Sequence, residues 1–173
     1  IMKQRCSAFS ILALYALLLI LPPQAKAILP GDEKNLRGRL GLGFTNQIAS
    51  GVDRTLPALS AKFYPSRTTA FSLGLGFDTR SNDSALGIGL KGYKNVFLES
   101  NLIFYVGLGF AFVNRAGTKY QGSGFIGSEF FFERLPSLGL SFEAGVRGDN
   151  TTGSFSIRTI GESFLSAGMH FYL

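Results

Sequence analysis

Polar and apolar side chains alternate along this chain with period two, and every charge in the alternating stretches falls on the same parity. Successive side chains of an extended strand point to opposite faces. Such alternation therefore predicts a sheet with two unlike faces. Eight segments carry it: Gly38–Thr45, Ala58–Tyr64, Ala70–Asp78, Ala85–Lys91, Leu102–Val113, Gly124–Phe132, Leu138–Arg147 and Phe164–Leu173. One face is built of Leu, Phe, Ile, Val and Met, as with Leu40, Leu42 and Phe44 in the first segment and Phe71, Leu73, Leu75 and Phe77 in the third. The other is mostly Gly and Ser, with Tyr64, Tyr105 and Tyr172. It holds all the charged residues of the eight segments: Arg39, Lys62, Asp78, Lys91, Glu129, Glu143 and Arg147.

Between the segments lie Pro65–Arg67, Ser81–Asp83, Arg115–Gly117, Pro136–Ser137 and Gly148–Asn150, stretches with turn chemistry. Strands in close succession, with no helical pattern between them, predict an all-β, antiparallel, up-and-down sheet. The recurrent GxG strings lie inside strands, and none opens a helix as a dinucleotide fingerprint requires.

Alternation alone does not say which face meets water. A soluble barrel would expose the Gly/Ser face, and such a face lacks the density of Lys, Glu and Asp expected in water. The 22 Gly and 17 Phe in 173 residues, with 16% charged residues against a typical ~25%, fit an inverted arrangement. In a membrane barrel Leu and Phe face lipid, and small and polar residues face the interior. The segment lengths approach the ~9–11 residues that cross a bilayer. The apolar face of the segments carries no charge, and an outward Lys or Arg at mid-bilayer costs about 2–4 kcal/mol. In a narrow interior, inward Gly leaves room for larger inward Tyr, Arg and Glu side chains.

An export signal points the same way. Lys3 and Arg5 precede the apolar run Ile11–Leu21, which is followed by Pro22-Pro23 and the small-x-small site Ala25-Lys26-Ala27. That is the order of a secretory signal peptide, cleaved after Ala27. The run is shorter than the ~20 residues of a spanning helix. The expected organisation is a signal over 1–27, a short lead-in over 28–36 and the barrel over 37–173. Loss of Lys3, Arg5 and Lys26 lowers the formal net charge from +6 to +3. No Lys/Arg cluster remains to suggest nucleic acid. Cys6, the only cysteine, leaves with the signal, and His170 is the only histidine. No cofactor and no metal are expected.

The last residues, Leu165–Leu173, alternate with Met169, Phe171 and Leu173 on the apolar parity. They resemble the C-terminal assembly signal of bacterial outer-membrane barrels. Together with GRLGLGF, GFIGSEFFF and LSFEAGV, the chain from about Leu36 to Leu173 resembles the small OmpX/OmpA-type eight-stranded outer-membrane β-barrel family. The resemblance implies an eight-stranded antiparallel up-and-down transmembrane barrel in a Gram-negative outer membrane. It also implies insertion by the barrel assembly machinery and both termini in the periplasm. Loops near Asn46–Leu56, Thr79–Ser84, Asn114–Ser123 and Gly148–Glu162 would then face outside. Turns near Pro65–Thr69, Gly92–Asn101 and Glu133–Ser137 would face the periplasm.

Arg39, Lys62, Lys91, Glu129 and Glu143 form the candidate interior charge network. Buried charges must be paired, so a salt-bridged plug is the first reading and an ion-selective constriction the rival. Paired carboxylates also serve glycoside hydrolysis, but a side-chain-filled eight-stranded interior has no sugar-sized cleft. A catalytic His170, as in a lipid-modifying barrel, would lie toward the outer leaflet. The implied topology instead places His170 near the periplasmic end, as a packed interior histidine. Tyr64, Tyr105, Tyr120 and Tyr172 are expected to fill the interior or mark the membrane interface, and Phe130–Phe132 to join an interfacial belt. The functional expectation is a non-enzymatic, structural or surface-interaction role. Its partners would be outer-membrane lipid, the assembly machinery and a surface or envelope protein. A narrow pore for ions or small solutes is the alternative, and a lipid-modifying enzyme stands behind it.

Overall fold

A computed structural model describes residues 33–49, 55–80, 83–115, 117–150, 154–159 and 166–173. The expected signal peptide and the first part of the lead-in lie outside the described residues. The strands are β1 (Leu40–Ala49), β2 (Thr55–Phe63), β3 (Thr69–Arg80), β4 (Asp83–Leu98), β5 (Leu102–Asn114), β6 (Thr118–Phe132), β7 (Leu135–Asp149), β8 (Ser156–Thr159) and β9 (Ser166–Tyr172). Each of the first seven pairs antiparallel with the next. β8 and β9 both pair with β7, at Val146–Asp149 and Leu138–Glu143 respectively, so they share one position in the sheet. β9 pairs in turn with β1, from Gly41↔Tyr172 to Thr45↔Gly168. The result is a closed, all-β, eight-strand antiparallel barrel. Closure removes the free edges an open apolar sheet would present.

Strand direction puts residues 33–39, Leu173 and the β2–β3, β4–β5 and β6–β7 turns at one end, here called the lower end. The strands run further than the alternating segments indicated. β4 continues to Leu98, where a turn over Gly92–Asn101 was expected. Tyr93 and Asn95 follow Lys91 on its own parity, inward and buried, and only Glu99–Asn101 turns. At the upper end β6 begins at Thr118 and β7 ends at Asp149, so the long loop expected over Asn114–Ser123 is strand for most of its length. Phe164 and Leu165, at the start of the last expected segment, lie outside the described residues.

The two faces separate as the alternation requires. Leu42, Phe44, Leu59, Phe71, Leu75, Phe77, Leu90, Phe110 and Phe171 are exposed on the outside, with Phe77 at 66%. Ser60, Lys62, Tyr64, Tyr105, Glu129, Glu143 and His170 are buried inside. Among the described side chains of the strands, Lys94 is the exception to an uncharged outer face. It lies on the β4 extension, on the parity of Leu90, and is exposed.

Candidate functional site

The barrel interior is the candidate site, and the register explains how it fills. Inward residues form rows around the barrel, each row joining directly opposed positions on successive strands. One row reads Glu143–Gly127–Tyr105. Gly127 has no side chain, so the Tyr105 ring lies across it and its hydroxyl donates to Glu143 Oε1 at 3.3 Å. A Cβ on Gly127 would stand 2.7 Å from that ring and 2.6 Å from the Phe142 carbonyl oxygen. A second row reads His170–Gly43–Ser60, and Ser60 Oγ shares a 2.6 Å hydrogen bond with His170 Nε2 across the glycine. In a third, the Tyr172 ring overlies Gly41, its opposed residue. Inward glycines are thus gaps over which larger neighbours reach one another.

Two ion pairs occupy the middle. Lys62 Nζ, from β2, donates to Glu129 Oε2, from β6, at 2.8 Å, with both side chains essentially sealed from solvent. Tyr64 Oη donates to the same oxygen at 2.8 Å, and Tyr172 Oη to Glu129 Oε1 at 2.6 Å. The Lys62 ammonium also lies 4.5 Å from the centre of the Tyr93 ring and 4.8 Å from that of Tyr105. A buried carboxylate with three donors and a buried ammonium with a carboxylate and ring faces meet the condition for charge inside a protein. Lys91 donates to Glu143 Oε2 in the second pair, with its ammonium 4.5 Å from the centre of the Phe125 ring.

Arg39 stands apart from these pairs. At the lower rim its guanidinium donates to the backbone oxygens of Tyr172 at 2.9 Å and Leu173 at 3.2 Å, and to Ser137 Oγ at 3.4 Å. It ties the start of β1 to the end of β9. Met169, Phe171 and Leu173 are exposed on the outer face, opposite Leu140 and Leu138 of β7 in the case of Met169 and Phe171. Arg147 and Asp149, which the candidate network omitted, pair at 2.8 Å toward the upper end.

Apolar clusters close both ends of this polar middle. The lower one contains Leu36, Tyr64, Tyr93, Ile103, Tyr105, Phe125, Phe131 and Tyr172. Leu36 belongs to the lead-in and is 2% exposed. The lead-in turns into β1 at Gly38, whose φ of 78° favours glycine. It is fastened by Lys34 N to Glu99 O at 2.9 Å and Gly38 N to Tyr64 O at 2.7 Å. Lys34 Nζ donates to the Pro136 carbonyl at 2.6 Å and lies 4.2 Å from the centre of the Phe131 ring. Its pKa is held below the ordinary lysine value by partial burial and then by the Arg39 guanidinium. Phe131 is therefore an interior residue, not part of an outer belt with Phe130 and Phe132. Tyr120 is the one tyrosine of the four expected to take either place that lies outside, edge-on to Phe112. The upper cluster is Ile48, Leu56, Ala58, Ala85 and Val113.

Between the upper cluster and the Lys91–Glu143 pair lies a cavity of about 40 Å³, bordered by Thr45, Ser60, Ser72, Gln121, Ser123 and Arg147 among others. That volume suits a few water molecules. His170 lies at the lower half of the interior, and its Nδ1 has no hydrogen-bond partner among the described residues. Among the described residues, no carboxylate hydrogen-bonds His170 as the orienting acid of a hydrolytic triad would. The described residues contain no group of three His, Cys, Asp or Glu placed to hold a metal ion.

The missed interior residues had a faint signal. Tyr93 continues the parity of Lys91, but the polar string around it reads as a turn. Leu36 is a lone apolar residue among polar ones, and periodicity has nothing to say about it. The chain matches no family model, no curated protein and no solved structure with which it was compared.

Proposed function

We propose that this protein is a bacterial outer-membrane β-barrel with a structural role in the envelope, its interior plugged by paired charges. The observation that carries the reading is the outer face. Exposed Leu, Phe, Ile and Val side chains occur on β1 through β7 and β9, around a closed barrel in which, among the described side chains, the charged strand residues other than Lys94 turn inward. Exposed in water, such a surface would far exceed the few hundred Å² of apolar patch that a soluble monomer tolerates. Around a barrel it matches a lipid-facing band. The resemblance of the chain end to an outer-membrane assembly signal supports the same compartment, with the barrel assembly machinery as the inserting partner.

The filled interior favours a structural role over a pore. From Leu36 upward, aromatic rings, two ion pairs, a cavity with room for a few water molecules and an apolar cap follow one another. Dilution of the urea-unfolded chain into phosphatidylcholine vesicles tests the reading. A folded form that migrates anomalously on unheated gels and resists added protease is expected. Refolding to a soluble monomer in buffer without detergent or lipid would overturn it.

A further inference from the structure

Lys94 breaks the segregation of charge, and its surroundings give it a use. It projects outward from β4, opposite Thr69 of β3 and Val106 of β5. Phe71 lies two positions up the neighbouring strand from Thr69, and Phe104 two positions down β5 from Val106; both are exposed. No carboxylate of the described residues lies within ion-pair distance of Lys94. Next to it, the β2–β3 turn is strapped to β4. Asn95 N donates to Thr68 O at 2.8 Å, and Asn95 Nδ2 to Arg67 O at 2.7 Å. The Arg67 side chain is half exposed, and its only ion-pair contact among the described residues is Glu33 at 3.9 Å, also exposed. An exposed pair at that distance contributes little. Two cations thus lie in the lower part of the barrel, Lys94 fixed outward on a strand beside Phe71 and Arg67 on the turn anchored next to it.

We propose that Lys94 and Arg67 dock the phosphate headgroup of an anionic phospholipid, whose acyl chains run up the outer face past Phe71. The site rests on the membrane reading above. The chemistry is that of interfacial basic residues, whose charge meets the headgroup while their apolar neighbours stay in hydrocarbon. A contribution on the order of fivefold in affinity per cation follows from the usual strength of such contacts. The site lies at the end of the barrel that carries both described chain ends, so the leaflet it selects is the one on that side.

Native mass spectrometry of the full chain, refolded into mixed phosphatidylcholine/phosphatidylglycerol vesicles and then extracted, tests the proposal. The folded barrel is expected to retain phosphatidylglycerol over phosphatidylcholine by roughly tenfold or more. The Arg67→Gln/Lys94→Gln variant should fold equally well, judged by gel migration, and lose that preference. A folded wild type without the preference, or a variant that keeps it, overturns the site and leaves the membrane reading intact. Displacement of the retained lipid by millimolar inorganic phosphate would also overturn it, by showing a free-anion site. Failure of the chain to fold into any vesicle counts against the membrane reading, and the site falls with it.

Discussion

Lys62 and Glu129 meet at 2.8 Å across the barrel interior, although their strands β2 and β6 are separated in the sheet by β3, β4 and β5. The pair staples opposite walls of the barrel. Removing one partner strands the other charge in a buried site, which costs about 3–5 kcal/mol. Lys62→Met and Glu129→Gln are each expected to lower unfolding stability in lipid vesicles by that order. The double variant should lose less than the sum, with a coupling of about 1–3 kcal/mol. Urea titrations of the four proteins measure it, and strict additivity would show that the two side chains act independently.

Gly127 and Gly74 are both inward glycines, but they do different things. A Cβ on Gly127 collides with the Phe142 carbonyl and the Tyr105 ring, whereas one on Gly74 meets nothing closer than 3.6 Å, at the edge of the cavity. Gly127→Ala is expected to destabilise the barrel by about 1–3 kcal/mol through overpacking. Gly74→Ser should be tolerated, since the site borders polar groups and free volume. Thermal midpoints of the folded gel band compare them, and equal losses in the two variants would contradict the row-and-gap packing.

Leu75 is 48% exposed at the centre of β3's outer face, one position from Gly74. On the proposed membrane reading, Leu75→Arg would set a charge against hydrocarbon at a cost of about 2–4 kcal/mol near the midplane. Folded yield in vesicles should fall sharply, while the Gly74→Ser neighbour folds normally. A normal yield for Leu75→Arg would mean that this face does not meet lipid.

The plugged interior predicts the electrical behaviour. In planar bilayers the protein is expected to show no steady open level. A sustained conductance abolished by Glu143→Gln would mean that the Lys91–Glu143 pair lines a pathway and does not plug one.

Leu36 is the stopper that alternation could not reveal. Truncating a fully buried leucine costs about 2–5 kcal/mol. Leu36→Ala should lower the thermal midpoint and speed protease cleavage within residues 33–39. Unchanged cleavage would show that the lead-in is held by Lys34 and Gly38 alone.

Where sequence and structure diverge, the division is physical. Lys91 and Glu129 point inward as their parity requires, because parity is a local property of an extended chain, independent of what lies across the barrel. Arg39 shares their parity, yet at the rim it finds the backbone oxygens of Tyr172 and Leu173 closer to hand than any interior carboxylate. Around Tyr93 and Asn95, Gly92, Lys94 and Asn95 read as a polar turn, while the ladder to β5 carries β4 through them to Leu98. Lys94, outward on that unexpected stretch, was invisible for the same reason.

The sequence by itself determined the two faces. A period-two pattern with all its charge on one side admits a single sheet with opposite chemistries, one face polar and small and the other apolar and almost uncharged. Only the tertiary structure decided who meets whom inside. Lys62 with Glu129, Tyr105 with Glu143 and Ser60 with His170 depend on register and closure. Those are set by the whole ring of strands, and no single strand encodes them.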